Sequence, residues 1–147
     1  MKRIAPAALA MTLGMSLSAS LALAHQGVTD PTVLARMDSM KVMSASVKVI
    51  GDMTKGEIDF DAAEVAAALA RLKEESAKIP ALFEAEIIPK KSEALPAIWQ
   101  NWDEYVKRAQ ALDTALAGIS VEEATDLRPA MKAIGSGCRG CHDTYRK

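Results

Sequence analysis

From residue 31 to the C-terminus, apolar positions recur three and four apart, and glycines and prolines mostly separate the periodic stretches. No run of alternating β-branched residues interrupts them, and Ala, Leu, Glu, Lys and Met dominate. This pattern predicts an all-α chain with four helices. The first opens at Asp30-Pro31, an N-cap followed by proline at the first helical position, and stops at Lys55-Gly56. Its expected inward stripe is Val33, Met37, Met40, Met43 or Ser44, Val47 and Ile50. The second opens at Asp61 with Glu64 three residues on, runs through Val65, Leu69 and Leu72, and is expected to end before Pro80. An irregular connection with Pro80, Pro89 and Pro96 follows. The third starts near Pro96, buries Ile98, Trp99, Trp102, Val106, Ala109, Leu112 and Leu116, and ends at Gly118. Asp103–Lys107 and Glu104–Arg108 form i,i+4 pairs on its wet face. The fourth segment shows a capping box at Ser120 and Glu123, and a second cap at Asp126 would put Pro129 in a first turn, where proline is tolerated. From there Leu127, Met131, Ile134, Cys138, Cys141 and Tyr145 form one inward stripe.

Four helices with mostly short links favour an up-down-up-down four-helix bundle. The residues before it have a different character. Lys2 and Arg3 precede an apolar stretch from Ile4 to Leu23 that is diluted by Ser, Thr and Gly, and Ala22-Leu23-Ala24 has the A-x-A form of a cleavage site. Residues 1–24 are therefore expected to be an export signal rather than a membrane anchor, leaving a single domain over 25–147 in the periplasm. Removing Lys2 and Arg3 leaves 16 basic and 19 acidic residues, a formal charge of −3. With no basic block and no aromatic-basic alternation, nucleic acid is not an expected partner.

The chain has two cysteines, and an exported protein could join them. A disulfide across three positions would close a tiny loop and stabilise little. The following histidine gives a better account: Cys138-Arg139-Gly140-Cys141-His142 is a C-x-x-C-H motif. Residues three and four apart share a helix face, so both thiols can form thioethers to one edge of a porphyrin while His142 turns an imidazole nitrogen to its iron. A thioredoxin-like pair lacks its βα context here, and a zinc site needs more nitrogen or sulfur ligands than this segment offers. His25, the only other histidine, stands at the expected mature N-terminus.

The motif's place at the extreme C-terminus, on the last helix of an expected bundle, resembles the cytochrome c′ family, the class II c-type cytochromes, whose members are up-down bundles. Lys55-Gly56, Phe60-Asp61-Ala62-Ala63, Pro96-Ala97-Ile98-Trp99 and the residues after the motif, Asp143, Tyr145 and Arg146, share that resemblance, which covers the whole mature chain. It implies one covalent haem c. Typical members place an apolar side chain of the first helix opposite the histidine and leave the iron five-coordinate; a low-spin branch places a methionine there. Counting back from Lys55-Gly56, that position falls on Met40. The residue pattern alone leaves Met37, Met40 and Met43 open, since all three lie near one face and methionine is an ordinary core filler. The resemblance also sets Arg36, one turn before Met40, near a haem propionate; its plain alternative is a surface arginine.

The expected function is electron transfer with redox partner proteins, by a haem with His142 and Met40 as axial ligands. A gas-binding five-coordinate protein with Met40 only packing nearby, or an enzyme such as a weak peroxidase, requires an open sixth position. No array of catalytic acid, base and nucleophile stands out, so the chain is not expected to be an enzyme. The resemblance further implies homodimers through the first two helices, where Ala62, Ala63, Ala66 and Ala67 would permit close contact.

Overall fold

A computed structural model describes residues 27–90 and 92–147; the expected signal, 1–24, and His25 lie outside them. Helix α1 spans Pro31–Lys55, and its ends follow from local chemistry. The Asp30 carboxylate accepts hydrogen bonds from the Thr32 and Val33 amides, which have no partner within the helix. Gly56 ends the helix at φ 75°, a left-handed conformation that glycine adopts without steric cost. The deepest stripe of α1 differs from the expected one. Arg36, Ser39, Met43, Ser46, Ile50 and Met53 are buried, whereas Met37, Met40 and Val47 are half-buried. The helix packs against two neighbours, α2 and α5, so it has an inner seam and a flanking face in place of a single stripe.

Helix α2 spans Ala62–Phe83 and begins as expected, with the Asp61 carboxylate accepting from the Ala63 and Glu64 amides. It does not end before Pro80. The helix continues a turn beyond, because Ile79 and Phe83 are buried in the core and tertiary packing outweighs the one hydrogen bond that proline removes. Its exit is also held from outside, by Arg36, as described below.

The expected third helix is broken in two. One turn, α3 (Ala97–Gln100), leads into α4 (Trp102–Ala117), and between them Asn101 leaves helical geometry at φ −128°, ψ 46°. Trp99 is half-buried, with its indole N–H donating to the Phe83 carbonyl at 2.7 Å. Tyr105 takes the core position that the expected stripe gave to Val106, which is half-buried. Ile98, Ala109, Leu112 and Leu116 are buried as expected.

The last helix, α5, spans Leu127–Tyr145 with Pro129 in its first turn. Its lead-in differs from expectation. The capping box sits at Glu123 and Asp126, around a single 3₁₀ turn at Ala124–Asp126, rather than at Ser120 and Glu123. Asp126 faces backwards: its carboxylate accepts from the Glu122 and Glu123 amides rather than capping α5, and these bonds hold it below the usual carboxylate range.

Helices α1, α2, α4 and α5 pack in a closed ring, each against its sequence neighbour and α5 against α1. This is the up-down-up-down four-helix bundle. Ile50, Val65, Leu72, Leu116 and Ile134, one or more from each helix, lie fully buried at its centre. The chain end is tied down: an antiparallel bridge joins Ala94 and Arg146, the Leu95 amide donates to the Tyr145 carbonyl, the Lys147 amide donates to the Glu93 carbonyl, and Arg146 pairs with Glu93.

Candidate functional site

A cavity of about 600 Å³ lies within the bundle, a size typical of cofactor sites. Helix α1 lines it with Met37, Met40, Met43, Ser44 and Val47, and α5 with Gly137, Cys138, Cys141, His142 and Tyr145. Tyr105 and Leu112 of α4, Ile79 and Phe83 of α2, and Ser92, Glu93 and Ala94 of the connection complete the wall. All five residues singled out in the sequence, Arg36, Met40, Cys138, Cys141 and His142, therefore reach one space. The periodicity explains how. Cys138 and Cys141 continue the stripe of Leu127 and Ile134, and α1 turns its half-buried face, Met37, Met40 and Val47, to the same space.

The two thiols are half-buried and unpaired, and burial pushes both above the ordinary thiol range. They are neutral at pH 7 and lack the thiolate character of a redox-active pair. Burial also lowers the pKa of His142, which favours the neutral imidazole that binds metals. Among the described residues, no group of three or more His, Cys, Asp or Glu comes together to hold a bare metal ion.

Arg36 is not a surface residue. It is 4% exposed, and its guanidinium donates to the carbonyls of Leu82 at 2.7 Å, Ile87 at 2.8 Å and Ala85. It also lies 4.7 Å from the Phe83 ring centroid and 5.5 Å from that of Trp99. Burial lowers its pKa, yet an arginine stays charged under any ordinary condition. A fixed positive charge therefore borders the cavity and closes the C-terminal end of α2, whose last carbonyls lack helical partners.

Three further residues matter and were not marked as such in the sequence. Tyr105 contacts Phe83, Trp102 and Tyr145, with ring centroids 5.6, 5.7 and 5.1 Å away; its helical spacing, four residues from Ala109 and seven from Ile98 and Leu112, could have revealed it. Gly137 lets α4 approach α5, since a Cβ there would stand 2.7 Å from Leu112 Cδ1. Arg108 pairs with Glu104 at 3.0 Å as expected, but it also crosses to α5, which no local spacing predicts.

The donor set fits a covalently held haem: two adjacent-turn thiols and a histidine on one wall, and a largely apolar space beside them. Comparison with known proteins agrees. The family model described as Cytochrome C' matches residues 32–146. Cytochrome c-556 of Agrobacterium fabrum is 35% identical over 119 residues, covering 76% of this chain and 77% of that protein. Cytochrome c-554 of Cereibacter sphaeroides is 30% identical over 94% of this chain and 95% of its own length. Among solved structures, cytochrome c′ from Rhodopseudomonas palustris superposes with a TM-score of 0.73 at 28% identity, over 81% of this chain and 98% of that one. A ferrous variant of cytochrome c′ from Alcaligenes xylosoxidans, solved with bound NO, gives 0.70 at 27% identity, over 79% and 94%.

Proposed function

Because the chain belongs to the cytochrome c′ family, we propose that it is a mono-haem electron-transfer protein, with Cys138 and Cys141 as the thioether anchors and His142 and Met40 as axial ligands. Covalent haem c is the cofactor of this family, and when bound it supplies a reversible one-electron iron couple. The chain's own residues supply attachment, burial and axial donors. The observation that carries the reading is that Met40, on a helix packed against α5, lines the same cavity as Cys138, Cys141 and His142. A thioether opposite an imidazole favours the ferrous state and raises the reduction potential. It also closes the sixth position, which suits a carrier rather than a binder of substrates. Arg36 belongs to the same proposal as the neighbour of a propionate: three of its five N–H groups serve carbonyls, and the others remain for an anion at the cavity edge.

Export to the periplasm follows from residues 1–24 as a signal, and none of the described helices is long and apolar enough to cross a membrane. Redox proteins are the partners this function requires. A homodimer through α1 and α2 is supported by the exposed small residues Ala62, Ala63 and Ala66 of α2 and by the exposed Val42 of α1.

The rival reading is a five-coordinate gas-binding protein, and the NO-bound relative favours it. Substitution separates the two. Met40→Leu keeps volume, at a cost under about 1.5 kcal/mol, and is expected to turn a low-spin spectrum high-spin and admit carbon monoxide. Met43→Leu is expected to do neither. A Met40→Leu protein that stays low-spin would remove Met40 from the ligand set.

A further inference from the structure

We propose that Arg108 is a positioning residue for the haem-attachment turn, holding the pitch of residues 138–142, and thereby His142, from the neighbouring helix. The inference rests on the reading of Cys138–His142 as the attachment turn. It starts from a side chain that looks ordinary in sequence, an arginine four residues after a glutamate on an exposed helix face. That pair contributes little, as exposed ion pairs do. The rest of the guanidinium does something else. Its Nη1 donates to the carbonyl of Gly140, which lies between the two cysteines, and to the Thr144 hydroxyl at 2.9 Å, two residues after His142. Its Cζ lies 5.4 Å from the ring centroid of Tyr145. One side chain of α4 thus touches α5 at positions 140, 144 and 145, bracketing His142.

A second observation supports it independently. One turn further along α4, Leu112 meets α5 at Gly137, where a Cβ would stand 2.7 Å from Leu112 Cδ1. The two helices are pressed together just before Cys138 and tied just after it. Between these points the attachment turn has little freedom to rotate or slide. A planar fork is needed for the tie, because one guanidinium must serve Glu104, the Gly140 carbonyl and the Thr144 hydroxyl while lying over a ring; a lysine ammonium is a single point on a flexible stem. Charge and geometry can therefore be separated by substitution.

The experiment compares Arg108→Lys, Arg108→Gln, Thr144→Val, the double variant Arg108→Lys with Thr144→Val, and Lys107→Gln in the haem-loaded protein, by amide hydrogen exchange and by midpoint potential. Both Arg108 variants are expected to speed exchange of the 140–145 amides about tenfold while leaving α2 unchanged, as a local opening does. Both are expected to shift the ferrous-to-ferric ratio at fixed potential about threefold and in the same direction. Lys107→Gln removes a nearby charge without touching α5 and is expected to change neither reading. Thr144→Val is expected to give a smaller effect that does not add to that of Arg108→Lys. If Arg108→Lys behaves as wild type and only Arg108→Gln shifts the potential, charge alone acts and the positioning role is overturned; additive effects of the Thr144 and Arg108 substitutions would overturn it as well. A wild-type protein that retains no haem after acid-acetone extraction would instead mark failure of the attachment reading, which the exchange data on Arg108 do not touch.

Discussion

Arg36 carries its charge into the bundle against carbonyl dipoles at the end of α2. Bonds from a charged donor contribute more than neutral ones, and deleting the donor leaves acceptors stranded. Arg36→Met is therefore expected to lower stability by about 3–5 kcal/mol, measured by denaturant unfolding of the haem-loaded protein, whereas a surface arginine would lose under about 0.5 kcal/mol. Nothing in the sequence distinguishes these cases, since the carbonyls that bury Arg36 come from residues 82–87, some 50 positions away. The shared place of Cys138, Cys141 and His142 on one cavity wall was legible for the opposite reason: it depends on spacing within about one helical turn. Met40 falls between. Its helix face was legible, but the choice among Met37, Met40 and Met43 came from family register, and all three line the cavity.

At the scale of elements, starts and stops written in a few adjacent residues were legible. Asp30, Asp61 and Gly56 act locally and sit where the pattern put them. Pro80 was misjudged because its effect is a balance: a lost hydrogen bond and a steric clash against the burial of Ile79 and Phe83 in the core. That balance makes a prediction. Pro80→Ala restores an amide able to donate to the Ser76 carbonyl, and is expected to stabilise the protein by about 1–3 kcal/mol in thermal or denaturant unfolding. A loss of stability would mean that the proline's fixed backbone angle, rather than the core, sets the course of the last turn. The capping box at Glu123 and Asp126 is also local, but Ser120 and Glu123 offer the same three-residue spacing, so the pattern does not choose between them; the break at Asn101 has no glycine or proline to mark it.

For the whole molecule, the four-helix order was legible from periodicity and link length, while the closed ring of packing and the cavity inside it were not. The cavity couples fold to cofactor. Without the haem, about 600 Å³ walled largely by apolar side chains is left to water, which forfeits part of the burial that stabilises the bundle. Whole domains are stable by only about 5–15 kcal/mol. Replacing Cys138 and Cys141 together by Ser is therefore expected to give a protein without retained haem that lacks fixed tertiary packing, seen as lost near-ultraviolet dichroism; a fully native, cooperative unfolding transition would show that the helices hold the bundle unaided. The central claim, a carrier whose sixth iron position is closed by Met40, is tested most directly by the optical spectrum of the reduced wild-type protein before and after adding carbon monoxide. A low-spin spectrum that carbon monoxide leaves unchanged is the predicted result; a high-spin spectrum that shifts on adding the gas would contradict it.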